Sequence, residues 1–170
     1  DKGEPWRSDQ VIYHPVAAYG DLGWLRREQD LLFRQYPLLA AFSSELPSSG
    51  SFLTLDAIDV PILLIRNGGG RVNAFINACR HRGTRLAQGC GRSPAGIVCP
   101  YHAWTYSLDG ELRAIPDSAS FPGVNKAERP LVQLPVVEKY GMIWVCPTPG
   151  ADFDIDHHLA GLAPELASYR

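Results

Sequence analysis

Two short stretches constrain this chain more than anything else in it: Cys79-Arg80-His81-Arg82-Gly83 and Cys99-Pro100-Tyr101-His102-Ala103-Trp104. The first reads C-x-H and the second C-x-x-H, with seventeen residues between His81 and Cys99. Each offers one thiol and one imidazole. A fold that uses all four side chains together must carry two loops, far apart along the chain, to one place.

A Cys/His pair in each loop is what a Rieske [2Fe–2S] centre requires, with two thiolates on one iron and two imidazoles on the other, so that each loop feeds both irons. Replacing two thiolates by two neutral imidazoles makes the cluster less negative. An added electron then meets less repulsion, and the potential rises into the range of roughly −150 to +300 mV. A structural zinc ion is the alternative for a Cys₂His₂ set. Zinc fingers usually place the two cysteines in one knuckle and the two histidines in another, an order this spacing lacks.

The similarity extends beyond the four ligands. Asn77-Ala78-Cys79-Arg80-His81-Arg82-Gly83, Cys99-Pro100-Tyr101-His102-Ala103-Trp104-Thr105-Tyr106 and Leu108-Asp109-Gly110 together resemble the Rieske domain of Rieske non-haem iron oxygenases, the large subunits of ring-hydroxylating dioxygenases and related monooxygenases. The resemblance implies a mainly β fold, a Rieske-type antiparallel β-sandwich with a cluster-binding subdomain of two hairpin loops. An N-terminal helix and a C-terminal helical linker would be added to it. It implies that Cys79 and Cys99 hold one iron and that His81 and His102 hold the other through Nδ1, leaving Nε2 at the surface. Arg82, Trp104 and Tyr106 would surround the cluster. Respiratory Rieske proteins carry a further cysteine in each loop, joined as a disulfide; those positions here are Thr84 and Tyr101. They also direct a Ser and a Tyr hydroxyl at sulfur. The first of those positions is Trp104 and the second Tyr106, read equally as a cluster donor or a core tyrosine.

In that family oxygen chemistry takes place at a mononuclear Fe(II) held by two His and one carboxylate on a following domain. Outside the two loops this chain has His14, His157 and His158. Neighbours on a helix point roughly 100° apart, so His157 and His158 do not readily face one metal, and they read as exposed residues near a helix start. The expectation is therefore an electron-transfer domain with no catalytic residue of its own, covering about the first third of a family subunit. The resemblance implies a ferredoxin or reductase as electron donor and the catalytic domain of a neighbouring subunit as acceptor, with a carboxylate there taking the His102 Nε2–H bond. It implies a homotrimer or hetero-oligomer and a role in aromatic hydrocarbon catabolism. A stand-alone Rieske ferredoxin is the second reading, and a zinc-stabilised interaction module the third.

Along the chain, residues 1–20 read as an extended arm with Pro5, Trp6, His14 and Pro15. Leu22, Leu25, Leu32, Phe33 and Tyr36 recur at helical spacing against Arg26, Arg27, Gln29 and Arg34, predicting a helix over 21–36 with Asp21 as N-cap and Pro37 as its stop. A similar helix in the family carries a Glu and a Phe near its end, here Glu28 and Phe33. Strands are expected at 51–55, 61–66 and 71–77, with Gly68-Gly69-Gly70 as a turn, and the last of them delivers the first loop. Further strands are expected at 97–98, 104–107 and 112–115, then at 131–138 and 142–146, with 116–122 as a surface loop. Residues 152–170 predict one or two short helices. The division is 1–37 arm and helix, 38–150 Rieske domain, and 151–170 linker into a catalytic domain.

With 170 residues and 45% hydrophobic composition, one buried domain fits comfortably and two do not. A net charge of −2 gives no basic footprint for nucleic acid. There is no apolar run long enough for a bilayer and no signal peptide. The expectation from these is a soluble, cytoplasmic protein, and Asp1, which is not an initiator, points to a piece of a longer chain. Of the four cysteines, Cys90 and Cys146 lie outside the two loops and are expected as free thiols, Cys90 in a Gly-rich loop and Cys146 at a strand end.

Overall fold

The computed structural model describes residues 9–168. Pro5 and Trp6 of the N-terminal arm lie outside that range; the described part of the arm is exposed and irregular up to a single 3₁₀ turn at Val16–Tyr19. Helix α1 (Leu22–Glu28) starts where predicted, and the Asp21 carboxylate caps it by accepting from the Trp24 amide at 2.7 Å. It does not continue as an α-helix to Tyr36. Over Gln29–Phe33 the pairing widens to a π-type turn in which the Arg34 amide donates to the Gln29 carbonyl at 2.9 Å. The Arg34 carbonyl accepts from the Thr148 hydroxyl at 2.7 Å and from the Cys146 thiol at 3.3 Å. These tertiary bonds fix Arg34 against the body of the domain, and the widened turn lets the chain reach them.

Three antiparallel sheets follow among the described residues. The central one has five strands in the order β5 (Cys90–Arg92), β2 (Ser51–Ala57), β3 (Val60–Arg66), β4 (Val72–Ile76), β9 (Gln133–Leu134). A three-stranded sheet runs β1 (Leu38–Phe42), β11 (Met142–Val145), β10 (Val136–Lys139). The last, β6 (Ile97–Val98), β7 (Thr105–Tyr106) and β8 (Leu112–Ala114), carries the second Cys/His loop. Short helices α2 (Ile155–His158) and α3 (Ala163–Leu166) close the described chain.

The apolar run Ile62-Leu63-Leu64-Ile65 is buried on both faces of β3, and the alternation decides what each face meets. Leu63 and Ile65, with Phe75 of β4, pack into a cluster that contains Cys79, Cys99, Trp104, Tyr106 and Leu108. Ile62 and Leu64, with Val72 and Ala74, pack against Ala41, Ile143 and Val145 of the other sheet. The central sheet is thus the shared wall of two apolar clusters, one of which holds both ligand-loop cysteines. Arg66 ties the layers together through a two-pronged ion pair to Glu138 at 2.8 and 2.9 Å and a bond to the Leu46 carbonyl.

Four features depart from the sequence reading. Strand β1 had no expectation; it pairs with β11. Cys90 lies at the start of an edge strand and not in a loop, because Gly91 lets the chain pass under the Phe52 ring, where an added Cβ would sit 2.9 Å from Cζ. The single strand expected over 131–138 is two strands, because Pro135 lacks the amide that a continuous ladder needs and the chain changes sheets there. The apolar stripe of α1, the π-type turn and the residues just after it is not covered, with Leu22, Leu25, Leu32, Phe33 and Tyr36 all exposed.

A polar knot joins the central sheet to the ligand-bearing hairpin. Asp109 accepts from Asn67 Nδ2 at 2.7 Å and Asn73 Nδ2 at 3.0 Å, and Asn73 also donates to the Leu108 carbonyl at 2.9 Å. The Asn67 bond, then the Asn73 bond, hold the Asp109 carboxyl below the usual carboxylate range. A depressed folded-state pKa adds stability that is present above the unfolded value near about 3.9 and is lost as pH falls through the folded value. The expected outcome for Asp109→Asn is a loss of about 1 kcal/mol near neutral pH, with a flatter acid limb. Urea unfolding at neutral pH and near pH 3 measures both; an unchanged acid limb refutes the role of the knot.

Candidate metal centre

The same pair of backbone hydrogen bonds closes both Cys/His loops. In the first, the Cys79 amide donates to the Thr84 carbonyl and the Gly83 amide to the Cys79 carbonyl, each at 2.8 Å. In the second, the Cys99 amide donates to the Trp104 carbonyl at 2.8 Å and the Ala103 amide to the Cys99 carbonyl at 3.0 Å. The fourth residue after each cysteine is left-handed, Gly83 at φ 74° and Ala103 at φ 53°. Glycine enters that region freely, whereas for alanine it costs roughly 1–2 kcal/mol. Two knuckles of one design therefore face each other.

Their side chains converge. The His81 and His102 ring centroids are 4.7 Å apart, while Cys79 and Cys99 are both 3% exposed in the core beneath. Trp104 stacks on His81 at 4.9 Å with planes 7° apart, and Phe121 meets both rings edge-on at 5.4 and 5.7 Å. Tyr101, 57% exposed, lies 3.6 Å from the His102 ring centroid on the outer side. Tyr106 is fully buried, accepts from the Arg80 amide at 2.9 Å, and its hydroxyl makes a hydrogen bond of 3.3 Å with Cys79 Sγ. The tyrosine is a core residue that also touches a ligand-loop sulfur.

Burial pushes the Cys79 thiol up, with the Tyr106 hydrogen bond acting against it. Burial, and after it the Cys79 contact, push the Tyr106 hydroxyl up, so that it stays a donor. Partial burial, then the His102 ring and the exposed Arg82 charge, hold His81 below the ordinary imidazole range.

The residues fit a [2Fe–2S] cluster on one observation. Nδ1 of His81 and Nδ1 of His102 are both buried and have no hydrogen-bond partner among the described residues, beside two buried thiols. Buried nitrogens are normally satisfied. Two imidazole nitrogens and two thiols form a soft donor set suited to iron–sulfur chemistry. Elsewhere, His157 and His158 are exposed on α2, with the His158 ring 6.2 Å from those of Tyr36 and Trp144. His14 lies 5.5 Å from Tyr19. Cys90 is exposed, Cys146 is buried, and neither is in a disulfide.

The profile of the family described as "Rieske [2Fe-2S] domain" matches residues 37–140. The chain belongs to that family. It is 43% identical over 104 residues to the glycine betaine monooxygenase oxygenase subunit of Pseudomonas aeruginosa, a match covering 61% of this chain and 24% of that protein. It is 30% identical over 164 residues to the biphenyl 2,3-dioxygenase subunit alpha of Rhodococcus jostii, covering 96% and 32%. Among solved structures, a quaternary ammonium Rieske monooxygenase superposes with a TM-score of 0.83 at 30% identity, over 91% of this chain and 42% of that one. These relatives are Rieske oxygenases, and this chain spans less than half the length of each. One of these relatives is named for biphenyl and another for glycine betaine, so the family is not confined to aromatic substrates.

Sequence reasoning missed Phe121, which walls His81 from within a loop read as plain surface; a large apolar residue amid Pro, Gly and Ser was the available signal. It also passed over the strained Ala103. The expected outcome for Ala103→Gly is a gain of about 0.5–1 kcal/mol, relief of the left-handed strain outweighing the greater freedom of the unfolded chain. Thermal unfolding of the pair measures it, and a destabilised variant refutes the strain.

Proposed function

We propose that this chain is the electron-transfer domain of a Rieske oxygenase, receiving single electrons and passing them to a mononuclear iron that lies in the part of its relatives it does not span. The two orphaned Nδ1 atoms beside two buried thiols carry the reading. When bound, the [2Fe–2S] cluster supplies a one-electron store. Cys79 and Cys99 would ligate one iron as thiolates, and His81 and His102 the other through Nδ1. Tyr106 directs its proton at the Cys79 sulfur, Trp104 and Phe121 keep water from the His81 side, and Arg82 stands at the exposed rim.

The electron donor is a ferredoxin or a reductase, and the acceptor is the catalytic domain of a neighbouring subunit in a homotrimer or hetero-oligomer within the cytoplasm. The description of the solved quaternary ammonium monooxygenase names inter-subunit electron transfer, which supports this arrangement. Similarity to an oxygenase alpha subunit over 96% of the chain favours this reading over a stand-alone ferredoxin. A tetrahedral zinc needs all four ligands around one point. Each loop here supplies one thiol and one imidazole, not the paired cysteines and paired histidines usual in zinc knuckles, and the cluster asks for two protein ligands per iron.

The purified protein is expected to contain iron and acid-labile sulfide in equal amounts, with no zinc, and Cys99→Ser to lose both along with part of its stability. Zinc without sulfide overturns the reading. The potential is expected toward the negative end of the Rieske range, near about −150 mV, because Trp104 stands where respiratory proteins direct a Ser hydroxyl at sulfur. Voltammetry giving a value above about +100 mV refutes that account.

A further inference from the structure

The two knuckles share a design but not a neck. Just outside the second knuckle the chain is paired strand to strand, Val98 with Thr105 and Ile97 with Tyr106. The first knuckle enters from β4, but its exit, residues 84–89, forms no strand. A side chain stands where the ladder would be. Asn77, 1% exposed, accepts through Oδ1 from the Leu86 amide at 2.9 Å and the Ala87 amide at 3.3 Å, and donates through Nδ2 to the Ala87 carbonyl at 2.9 Å. Its own amide is anchored to the Pro61 carbonyl of β3 at 2.7 Å.

We infer that Asn77 is a positioning residue for the first two ligands: its carboxamide clamps the neck of the loop that carries Cys79 and His81, substituting for the strand pairing that holds Cys99 and His102. The inference rests on the proposed cluster ligation. Three bonds of both polarities need a group that accepts and donates at once from a buried position, which a carboxamide does. An aspartate keeps the acceptors, but it loses the donor to Ala87 and sets a carboxylate against a carbonyl oxygen. An alanine leaves two amides and a carbonyl buried without partners. Leu86, at 5% exposure, belongs to the same apolar cluster as both cysteines, so a loosened neck transmits directly to the sulfur side of the site.

The test compares wild type, Asn77→Asp, Asn77→Ala and a control, Ile143→Val, which opens a small cavity in the other apolar cluster. Iron and sulfide analysis of the wild type tests the ligation itself: a cluster-free wild type defeats the proposed function, not this inference. In a cluster-bearing wild type, the rate of iron release to a chelator is expected to rise at least tenfold in Asn77→Ala and by a lesser factor in Asn77→Asp. The electron paramagnetic resonance lines of the fraction still loaded should shift or broaden. Ile143→Val should lower the melting temperature with the release rate and spectrum of wild type. Release rates and spectra in the Asn77 variants matching wild type, or matching the control at equal melting temperature, overturn the inference. Should neither Asn77 variant fold, amide exchange in the wild type decides. Leu86 and Ala87 amides slowed at least tenfold support the clamp, and amides exchanging at the unprotected rate refute it.

Discussion

The structure depends on bringing two cysteines and two histidines into one site from loops that are not neighbours in sequence. That site is also part of the core, because Cys79 and Cys99 belong to the same buried cluster as Leu63, Phe75 and Trp104. Ligand placement and hydrophobic packing are therefore one problem. Leaving a buried polar atom without a partner costs about 1–3 kcal/mol, and Nδ1 of His81 and Nδ1 of His102 are two such atoms. A metal that satisfies both would return that energy to the fold, so cluster binding and folding stability are coupled.

The central sheet makes the convergence possible. Because β3 is buried on both faces, it serves as the floor of the ligand subdomain and the wall of the second cluster. A one-residue slip of β3 would exchange Leu63 and Ile65 for Ile62 and Leu64 and leave both clusters mispacked. At the turn end of the β3–β4 hairpin the register is held by specific polar groups, Arg66 to Glu138 and Asn73 to Asp109.

The two Cys/His loops and the family they belong to were legible because such loops need fixed residue types at fixed spacing, and so were Asp21 as a cap and the hairpins around the Gly and Asp-Gly turns. What could not be read depends on partners distant in the chain. Strand β1 is defined by β11, roughly a hundred residues later; the π-type turn is shaped by Thr148 and Cys146 holding Arg34; and Pro135 divides two strands because they belong to different sheets. Asn77 stood in plain view beside Cys79, but nothing local says that its carboxamide reaches Leu86 and Ala87. Periodicity reports a preference for burial, not the partner that supplies it.

The two imidazoles are not equivalent, and the difference follows from what surrounds them. His81 is stacked flat on Trp104 and met edge-on by Phe121, both rooted in the apolar cluster beneath. His102 is bordered by His81 and by Tyr101, an exposed residue on its own loop. One ring is walled by aromatic side chains packed on the core, while the other sits beside an exposed tyrosine. Coupling between redox partners falls with the thickness of material between them, so on the proposed function the His102 side offers the shorter path out of the domain. The cysteines, each 3% exposed, are more deeply buried than the two histidines, so the sulfur side anchors the site in the core and the imidazole side lies nearer the surface.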